Sequence, residues 1–423
     1  MPNLAAAGLG AMTMRRLKVL ISAYACEPHK GSEPGVGWNI VCQMARFHEV
    51  WVVTRSNNRA AIEIALPEDL KTSLHFVYYD FPSWAKWWKQ GKHGVQCYYY
   101  LWQIAIYFVA WRLHRNVHLD LVHHLTFGKY WSPSFLSLLP VPFLWGPLGG
   151  GESAPKNFWK GFGLRGRIFE NVRELARSFA EYDPFIRLTA RRSAWVLAKA
   201  RETSLRVEKL GARRIEIFGE SAITPTDLWK LNGNESARDI CRFVSIANLL
   251  HFKGLHLGLQ AFAEARLLSS EYWIIGDGPE RERLQKLART LGIEDRVSFL
   301  GQLPRSEVLE RMAECHVLVH PSLHDSGGWV CLEGMAFGTP VICLDLGGPA
   351  TQVTADTGFK VAADSPEQAV QDMASAMRRL GQDKQMRSQM GQAARNHIAA
   401  SFTWERKGQQ LNRCYTAIVD GVS

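Results

Sequence analysis

The sequence predicts an α/β protein that folds into two doubly wound sheets. Three observations support this prediction. Short apolar runs alternate with segments of helical periodicity, which is the pattern of successive βαβ units. Each half of the chain contains its own series of alternating segments. With 423 residues, the chain also exceeds the size at which a single hydrophobic core usually stops growing.

The first half opens with an apolar run over residues 17–24, which is typical of a buried parallel strand. A glycine-rich stretch over 31–37 follows this run and leads into a helical pattern over 38–45. Further strands are predicted at 49–54, 74–78, 119–123 and 141–145.

The second half repeats the alternation. Its predicted strands lie at 242–247, 272–276, 297–300, 316–320 and 340–344. Its predicted helices lie at 255–267, 280–291, 306–313, 330–337, 366–380 and 404–419. We therefore expect a second open α/β sheet, joined to the first by a connection between residues 187 and 239.

Several patterns favour a cytoplasmic location. The apolar segment 95–111 is shorter than the roughly 20 residues that a helix needs to cross a bilayer, so we expect a buried helix there. Residues 1–13 contain neither a basic region nor a sustained apolar stretch, so we expect no signal peptide. The 8 cysteines are scattered without a CxxC pair, which favours a reduced compartment over disulfides or a zinc site.

The net charge of +10 is concentrated in the first half of the chain. Residues 1–200 contain 24 Lys or Arg and 13 Asp or Glu, a net charge of 24 − 13 = +11. The other residues contain 26 and 27, a net charge of −1. This asymmetry predicts that one half of the protein faces an anionic partner.

Polar residues in the second half suit a nucleotide phosphate. In open α/β sheets, ligands bind beyond the carboxyl ends of the strands. Asp325 and Glu333 are separated by seven residues, and the loop 326–328 between them offers backbone N–H groups at a predicted helix start. Lys253 offers a point charge for the same phosphates, and Glu333 could accept two hydrogen bonds from ribose hydroxyls.

The run from 243 to 349 resembles the nucleotide-binding domain of the retaining GT-B glycosyltransferases, often called family 4. The matching motifs, in the family's order, are Lys253-Gly254, Gly276-Asp277-Gly278-Pro279-Glu280, Val297-Ser298-Phe299-Leu300-Gly301, Pro321-Ser322-Leu323-His324-Asp325 and the run from Glu333 to Val341. The resemblance implies the GT-B fold, in which two Rossmann-like domains face each other.

The resemblance also implies a division of the chain. We expect a disordered extension over residues 1–14 and an acceptor-binding domain over 15–220. A nucleotide-sugar-binding domain over 221–400 follows, and the last helix, within 401–423, is expected to cross back to the first domain.

The resemblance assigns roles to individual residues. Asp325 would contact hydroxyls of the donor sugar, Glu333 the ribose and Lys253 the diphosphate, while the backbone at Leu300 and Gly301 would face the base. The glycine-rich stretch 31–37 resembles a loop that closes over the donor phosphate. The full donor-binding set is Gly35, Gly37, Asn248, Lys253, Gly276, Gly278, Leu300, Gly301, Asp325, Ser326, Gly327, Gly328 and Glu333.

The segment 146–152 resembles one found in exopolysaccharide and lipopolysaccharide members of the family. In such enzymes a histidine of the first domain lies near the sugar, and the candidates here are His123 and His124. We favour His124, because alternation along a strand should bury one neighbour and expose the other. The catalytic set is therefore His123, His124, Lys253 and Asp325, and Glu33, Gly150 and Glu152 are acceptor-side candidates.

Two positions depart from the family pattern. Asn248 stands where an Arg is usual, which removes a fixed charge from the diphosphate site, and Asp325 stands where Glu is usual. Simpler interpretations also exist: Gly31–Gly37 could permit close packing, either His could be a satisfied strand-end residue, and Asp325 and Glu333 could be a helix cap and a solvated acid.

The predicted activity is transfer of a sugar from a UDP or GDP sugar to a lipid-linked saccharide in surface polysaccharide assembly. The configuration at the anomeric carbon would be retained, and neither a metal nor a cofactor would be needed. Two segments, 84–89 and 156–167, interleave cations with aromatic rings, which predicts peripheral contact with the anionic inner face of the cytoplasmic membrane. No nucleic-acid-binding module accompanies them. The alternatives are a non-catalytic nucleotide-sugar-binding protein, a GT-B phosphorylase or epimerase, and a membrane scaffold that binds no nucleotide.

Overall fold

The computed structural model describes residues 15–85, 94–224 and 240–421. It contains a seven-stranded and a six-stranded sheet, and every strand pairs in parallel with its neighbours. The predicted extension over 1–14 and most of the basic-aromatic segment 84–89 lie outside the described residues.

The first sheet has the strand order β3-β2-β1-β4-β5-β6-β7. Its strands are β1 (Lys18–Ser22), β2 (Glu49–Thr54), β3 (Leu74–Tyr78), β4 (Leu121–His124), β5 (Phe143–Leu148), β6 (Trp195–Ala198) and β7 (Ile215–Ile217). The helices that cover it are α1 (Ser32–Phe47), α2 (Arg59–Ala65), α3 (Val95–Val117), α4 (Leu164–Ala180), α5 (Pro184–Arg192) and α6 (Arg201–Lys209). The order reverses between β1 and β4, which creates the crevice where doubly wound folds bind ligands.

The second sheet has the strand order β10-β9-β8-β11-β12-β13. Its strands are β8 (Cys241–Ile246), β9 (Ser270–Ile275), β10 (Val297–Gly301), β11 (Val317–His320), β12 (Val341–Leu344) and β13 (Gly358–Val361). Its helices are α7 (Leu255–Ala265), α8 (Arg281–Thr290), α9 (Arg305–Ala313), α10 (Trp329–Ala336), α11 (Gly347–Gln352), α12 (Pro366–Gln382) and α13 (Lys384–Ser401). The predicted fold class of two doubly wound domains is confirmed.

The last helix, α14 (Trp404–Val419), returns to the first domain, as expected. Trp404, Leu411 and Tyr415 are buried in the same core cluster as residues of β1, β2 and α1. The chain thus passes between the domains twice, and the two crossings touch, because Ile223 N–H donates to the Phe402 carbonyl at 2.8 Å. The division at residues 220 and 400 stays a prediction.

The glycine-rich stretch is a helix rather than a loop. Helix α1 begins at Ser32, so Gly35 and Gly37 lie in its first two turns. A Cβ atom at Gly35 would lie 2.0 Å from the Lys30 carbonyl oxygen, and one at Gly37 would lie 2.2 Å from that of Ala25. Their absent side chains let this backbone approach α1, so the packing interpretation of the two glycines is correct.

Helix α3 is longer than predicted and only one of its faces is buried. Tyr98, Trp102 and Ile106 lie in the core, whereas Leu101, Ile104, Phe108 and Trp111 are exposed. The expectation of a buried helix therefore holds for one face of α3 and not for the other. Within the described ranges, no helix combines the length and apolar character that crossing a membrane requires.

The basic-aromatic segment 156–167 exposes its cations but buries two of its aromatic rings. Phe158 and Phe162 are buried in the core of the second domain, so their rings cannot reach a lipid headgroup layer. The cations Lys156, Lys160 and Arg165 are exposed, and only this half of the predicted pattern is at the surface.

Candidate functional site

The candidate site lies between the domains, where the segment after β5 meets the loop before α10. A Cβ atom at Gly149 would lie 3.0 Å from Cδ of Lys199 and 3.5 Å from Oγ of Ser326. Ser221 Oγ donates to the Gly327 carbonyl at 2.6 Å, which joins the domains at the same place. The carboxyl ends of both sheets therefore border one cleft.

Asp325 is the most constrained residue of this cleft. Its Oδ2 accepts from Lys253 Nζ at 2.7 Å and from His320 Nε2 at 3.1 Å. Its Oδ1 accepts from the backbone N–H groups of Gly327 and Gly328 at 3.1 and 2.9 Å. Burial raises the pKa of this carboxyl, but the His320 hydrogen bond and the Lys253 charge outweigh it and hold the pKa well below its usual range. Asp325 is therefore an ionised carboxylate that also fixes the backbone of Gly327 and Gly328 just before α10.

Glu333 lies one turn into α10 and is paired rather than solvated. Its Oε1 lies 2.7 Å from NH1 of Arg305, the first residue of α9, and its side chain is 13% exposed. The simpler interpretation of Glu333 as a solvated acid is thus wrong. Sequence reasoning missed Arg305, whose partner lies 28 positions away (333 − 305) across a strand and a loop.

The glycines after β9 bring three strand ends together. Gly276 has φ +131°, and a Cβ atom there would lie 2.0 Å from the Ala247 carbonyl oxygen. Its N–H donates to the Gly301 carbonyl at 2.8 Å. A Cβ atom at Gly278 would lie 2.7 Å from the Leu249 carbonyl oxygen. This edge, which includes Leu300 at the end of β10, is where the resemblance places the base.

Asn248 follows β8 at this edge and is exposed. A cation that the sequence analysis did not identify lies close by. Arg281, the first residue of α8, has NH1 3.7 Å from Asp277 Oδ1, and its NH2 donates to the Phe299 carbonyl at 3.4 Å. Its position before a helical run, just after Gly276–Glu280, is the signal that could have revealed it.

Neither predicted histidine is exposed, which contradicts the alternation argument. His123 and His124 are both buried because helices cover both faces of the first sheet. Burial lowers the pKa of His123 to about 4 and, together with the His123 charge, that of His124 to about 3. Both imidazoles are therefore neutral near pH 7, and β4 does not present either of them at an open surface.

The two histidines serve as structural contacts. His123 Nε2 donates to the Gly146 carbonyl at 2.6 Å, so its Nδ1 accepts from the Tyr415 hydroxyl, also at 2.6 Å. His124 Nε2 lies 3.0 Å from the Tyr99 hydroxyl. The interpretation as a satisfied strand-end residue agrees with the contacts of His123, whereas Nδ1 of His124 is buried and has no hydrogen-bond partner among the described residues.

Glu152 holds the glycine-rich segment after β5 in shape. Its Oε2 accepts from Gly150 N–H, and its Oε1 accepts from the Thr203 hydroxyl, both at 2.8 Å. Its backbone carbonyl accepts from Arg173 and Arg177 of α4. Gly150 and Glu152 thus line the cleft as one ordered unit, in which Glu152 is 2% exposed.

A buried ion pair in the first domain was not predicted. Lys199 Nζ, just after β6, lies 2.6 Å from Glu220 Oε1. Burial lowers the pKa of Lys199, but the charges of Glu220 and Glu33 outweigh it and raise this pKa above its ordinary value. Glu33 itself accepts from the Phe127 N–H. A lysine directly after a buried strand was the available signal, but its partner lies 21 positions away in sequence (220 − 199).

Within residues 15–85, 94–224 and 240–421, no group of three or more His, Cys, Asp or Glu side chains could hold a metal ion. The cations that border the cleft are side chains, namely Lys253, Lys199 and Arg173.

Comparisons with known proteins find similarity mainly in the second domain. Residues 234–397 match the family model described as glycosyl transferases group 1. The D-inositol 3-phosphate glycosyltransferase of Corynebacterium diphtheriae is 34% identical over 179 residues, which are 40% of this chain and 41% of that protein. The alpha-D-kanosaminyltransferase of Streptomyces kanamyceticus is 27% identical over 59% of this chain and 66% of its own length.

Solved structures are similar over almost the whole chain. Sucrose-phosphate synthase from Thermosynechococcus elongatus has a TM-score of 0.64 and 18% identity, covering 96% of this chain and 100% of its own. WaaG, a glycosyltransferase involved in lipopolysaccharide biosynthesis, has a TM-score of 0.54 and 16% identity, covering 93% and 99%. These likenesses show the GT-B fold. The curated inositol-phosphate relatives are matched over less than half of their length.

Proposed function

We propose that this chain is a glycosyltransferase that uses a nucleoside-diphosphate sugar, because its residues 234–397 match the family model described as glycosyl transferases group 1 and its two domains have the GT-B fold. One observation carries the proposal. The ionised Asp325 is fixed between Lys253, His320 and the start of α10, eight positions before Glu333 and inside the cleft. This arrangement combines sugar-binding and phosphate-binding groups in one place.

Each donor part then has a matching group. Lys253 supplies positive charge for the diphosphate, and the carboxylate of Asp325 accepts hydrogen bonds from sugar hydroxyls. Glu333 accepts from the ribose, and the backbone at Gly301 faces the base. The HepE structures of Anabaena, which are similar in fold, were solved with UDP (TM-score 0.57) and with UDP and glucose (TM-score 0.56). They support a uracil nucleotide as the first donor to test, and GDP is the other.

We propose front-face substitution with retention. The bond between the anomeric carbon and the diphosphate oxygen breaks, and the acceptor oxygen bonds to the same face of that carbon. The acceptor's proton moves to the leaving diphosphate. Negative charge grows on the diphosphate during this step, and Lys253 together with oriented N–H groups stabilises it without a metal.

We further propose a lipid-linked saccharide acceptor at the inner face of the cytoplasmic membrane, in surface polysaccharide assembly. The first 200 residues have a net charge of +11 (24 − 13), which suits an anionic surface. The function of WaaG in lipopolysaccharide biosynthesis supports the same class of acceptor. Gly150 and Glu152, which belong to the first domain and line the cleft, are the acceptor-side groups.

A non-catalytic nucleotide-sugar-binding protein is the second candidate. The exposed Asn248 favours it, since no arginine occupies the position where the resembling family places one. Such a protein would bind the donor and release no nucleotide from it, whatever acceptor is added.

The first experiment is a thermal-shift panel with UDP, GDP, ADP and their common sugar conjugates, since selective binding raises apparent stability. We expect a shift with one nucleotide, its loss in Lys253→Ala, and its retention in Lys286→Ala, which removes an exposed lysine of α8. Nucleotide release from the matching sugar conjugate is then measured with membrane extracts as acceptor. If none of the nucleotides raises the melting temperature, the proposal is overturned. A raised melting temperature without release of the nucleotide from its sugar conjugate would favour the second candidate.

A further inference from the structure

Helix α4 is amphipathic, and its apolar side faces outward. Five residues of this side recur at spacings of four, four, three and four positions, and each is between 55% and 75% exposed: Leu164, Ile168, Val172, Leu175 and Phe179. We call these five residues the outer face of α4. The helix has 17 residues, so the stripe is about 25 Å long at 1.5 Å per residue. A contiguous apolar surface of this kind marks an interaction site.

The apolar surface continues beyond α4. Tyr182, Phe185 and Leu188 after the helix are also exposed. The Phe185 ring packs against Phe135 at 5.4 Å between centroids, and Phe135 packs against Tyr100 of α3 at 5.8 Å. Helix α3 in turn exposes Leu101, Ile104, Phe108 and Trp111. Ring contacts through Phe135 therefore link the exposed residues after α4 to α3, a second helix of the first domain with exposed apolar side chains.

The charges around the outer face are positive. The acids of α4 point inward and are neutralised: Glu170 lies 3.2 Å from Arg173 and 3.1 Å from His251, and Glu174 lies 2.7 Å from Arg177. Glu181 pairs with Arg206 at 2.8 Å. In contrast, the cations near the N-terminal end of α4 are exposed: Lys156, Lys160, Arg165 and Arg167.

The inner side of α4 contacts both halves of the cleft. Arg173 donates to the Glu152 carbonyl at 2.8 Å and to His324 Nε2 at 2.6 Å. Glu170 accepts from His251, two positions before Lys253. Residues 152 and 324 border the cleft from the first and second domains. The helix thus separates the cleft from the solvent that its outer face meets.

We propose that the outer face of α4 docks on an anionic lipid surface, with its apolar side chains in the acyl boundary and the exposed cations against lipid phosphates. A second copy of the chain fits less well, because the acids of its α4, Glu170 and Glu174, are already paired with Arg173, His251 and Arg177 and are not available to the exposed cations. Docking in this position places the cleft beside the lipid headgroups. Only its purpose, access to a membrane-embedded acceptor, rests on the proposed function.

The test is co-sedimentation of the full chain with vesicles made of equal parts phosphatidylcholine and phosphatidylglycerol, compared with pure phosphatidylcholine. We expect binding to the anionic vesicles that decreases with salt, since exposed charges are screened. Leu175→Asp and Phe179→Asp should each lose most of this binding. Leu268→Asp, which changes a 93% exposed leucine of the second domain, should retain it.

The nucleotide-induced thermal shift of each variant is measured without vesicles. Because the changed residues are exposed, we expect unaltered shifts, which also report that the fold is intact. Vesicle binding that the α4 variants retain, or no binding at low salt, would overturn the docking inference and leave donor binding untouched. A dimer in light scattering that Leu175→Asp dissociates would assign the face to a second copy instead. Vesicle binding without any nucleotide shift would support docking and count against the proposed function.

Discussion

The Tyr415 hydroxyl lies 2.6 Å from Nδ1 of His123, although 292 positions separate the two residues in sequence. Both side chains are fully buried. Their contact joins the last helix of the chain to β4, at the centre of the first sheet. The first domain is therefore completed by residues that follow the entire second domain.

Tyr415→Phe removes one partner of this buried hydrogen bond. The acceptor Nδ1 of His123 is then left without a donor, which costs roughly 1–3 kcal/mol. We expect the first domain of Tyr415→Phe to unfold at a lower midpoint concentration of urea, as measured by tryptophan fluorescence. Tyr182→Phe, at a 76% exposed tyrosine, is the control and should not move this midpoint. An unchanged midpoint in Tyr415→Phe would show that the contact adds little stability.

Asp325→Asn keeps the shape of the side chain and removes its charge. The charged hydrogen bonds with Lys253 and His320 are lost, and such bonds contribute roughly 1.5–3 kcal/mol each. We expect kcat/KM to fall by at least about tenfold, since 1.4 kcal/mol corresponds to one decade. Asp325→Glu should retain more activity than Asp325→Asn, because it keeps the carboxylate. Equal activity of Asp325→Asn and the wild type would remove Asp325 from the site.

Asn248→Arg adds a cation to the edge formed by β8 and β9. If this edge binds the donor diphosphate, an added partly exposed charge pair is worth up to about 1 kcal/mol, or roughly fivefold in Kd. We expect tighter binding of the nucleotide by isothermal titration calorimetry, with an effect that weakens at high salt. Asn396→Arg adds the same charge on α13 and should leave Kd unchanged. Weaker binding in Asn248→Arg would place the diphosphate elsewhere.

Buried histidines predict a loss of stability in acid. Burial lowers the pKa of His124 to about 3, whereas in the unfolded chain it is near 6.5. Between these values the unfolded state binds the proton and the folded state does not, so stability falls as pH decreases below about 6.5. We expect the urea midpoint of the wild type to decrease from pH 7 to pH 5, and the midpoint of His124→Asn to decrease less steeply.

The matched control for this pH dependence is His118→Asn, at an exposed histidine with φ +57°, a conformation that Asn tolerates. Its midpoint should follow the wild-type slope. Parallel slopes in His124→Asn and the wild type would mean that His124 does not contribute to the acid loss.

Much of the fold was predictable because a strand of a parallel sheet is buried on both faces and reads as an unbroken apolar run. The runs at 17–24 and 242–247 correspond to β1 and β8 for this reason. The loops of the candidate site could be located in the sequence because their glycines and acids follow such runs directly. Gly276, with its positive φ and close contact to Ala247, illustrates how strongly local backbone geometry restricts the residue type.

The same physics explains the errors. Alternation exposes one of two neighbours only where one sheet face meets water, and both faces near His123 are covered. Periodicity in α4 divides the helix into two sectors but does not say which one faces the protein. Here the sector with Arg173 and Arg177 faces inward, because these side chains satisfy the backbone carbonyl of Glu152. The ion pair of Lys199 and Glu220 could not be predicted, because it forms through a tertiary contact that leaves no local pattern in the sequence.

The hydrogen bond from Ile223 to Phe402 affects how the two domains can move relative to each other. The two segments that cross between the domains are hydrogen-bonded to each other there, so they form one joined connection and not two independent linkers. We therefore expect any relative movement of the domains to shift both crossings together and to change the distance between the loop at Ser326 and the segment at Gly149.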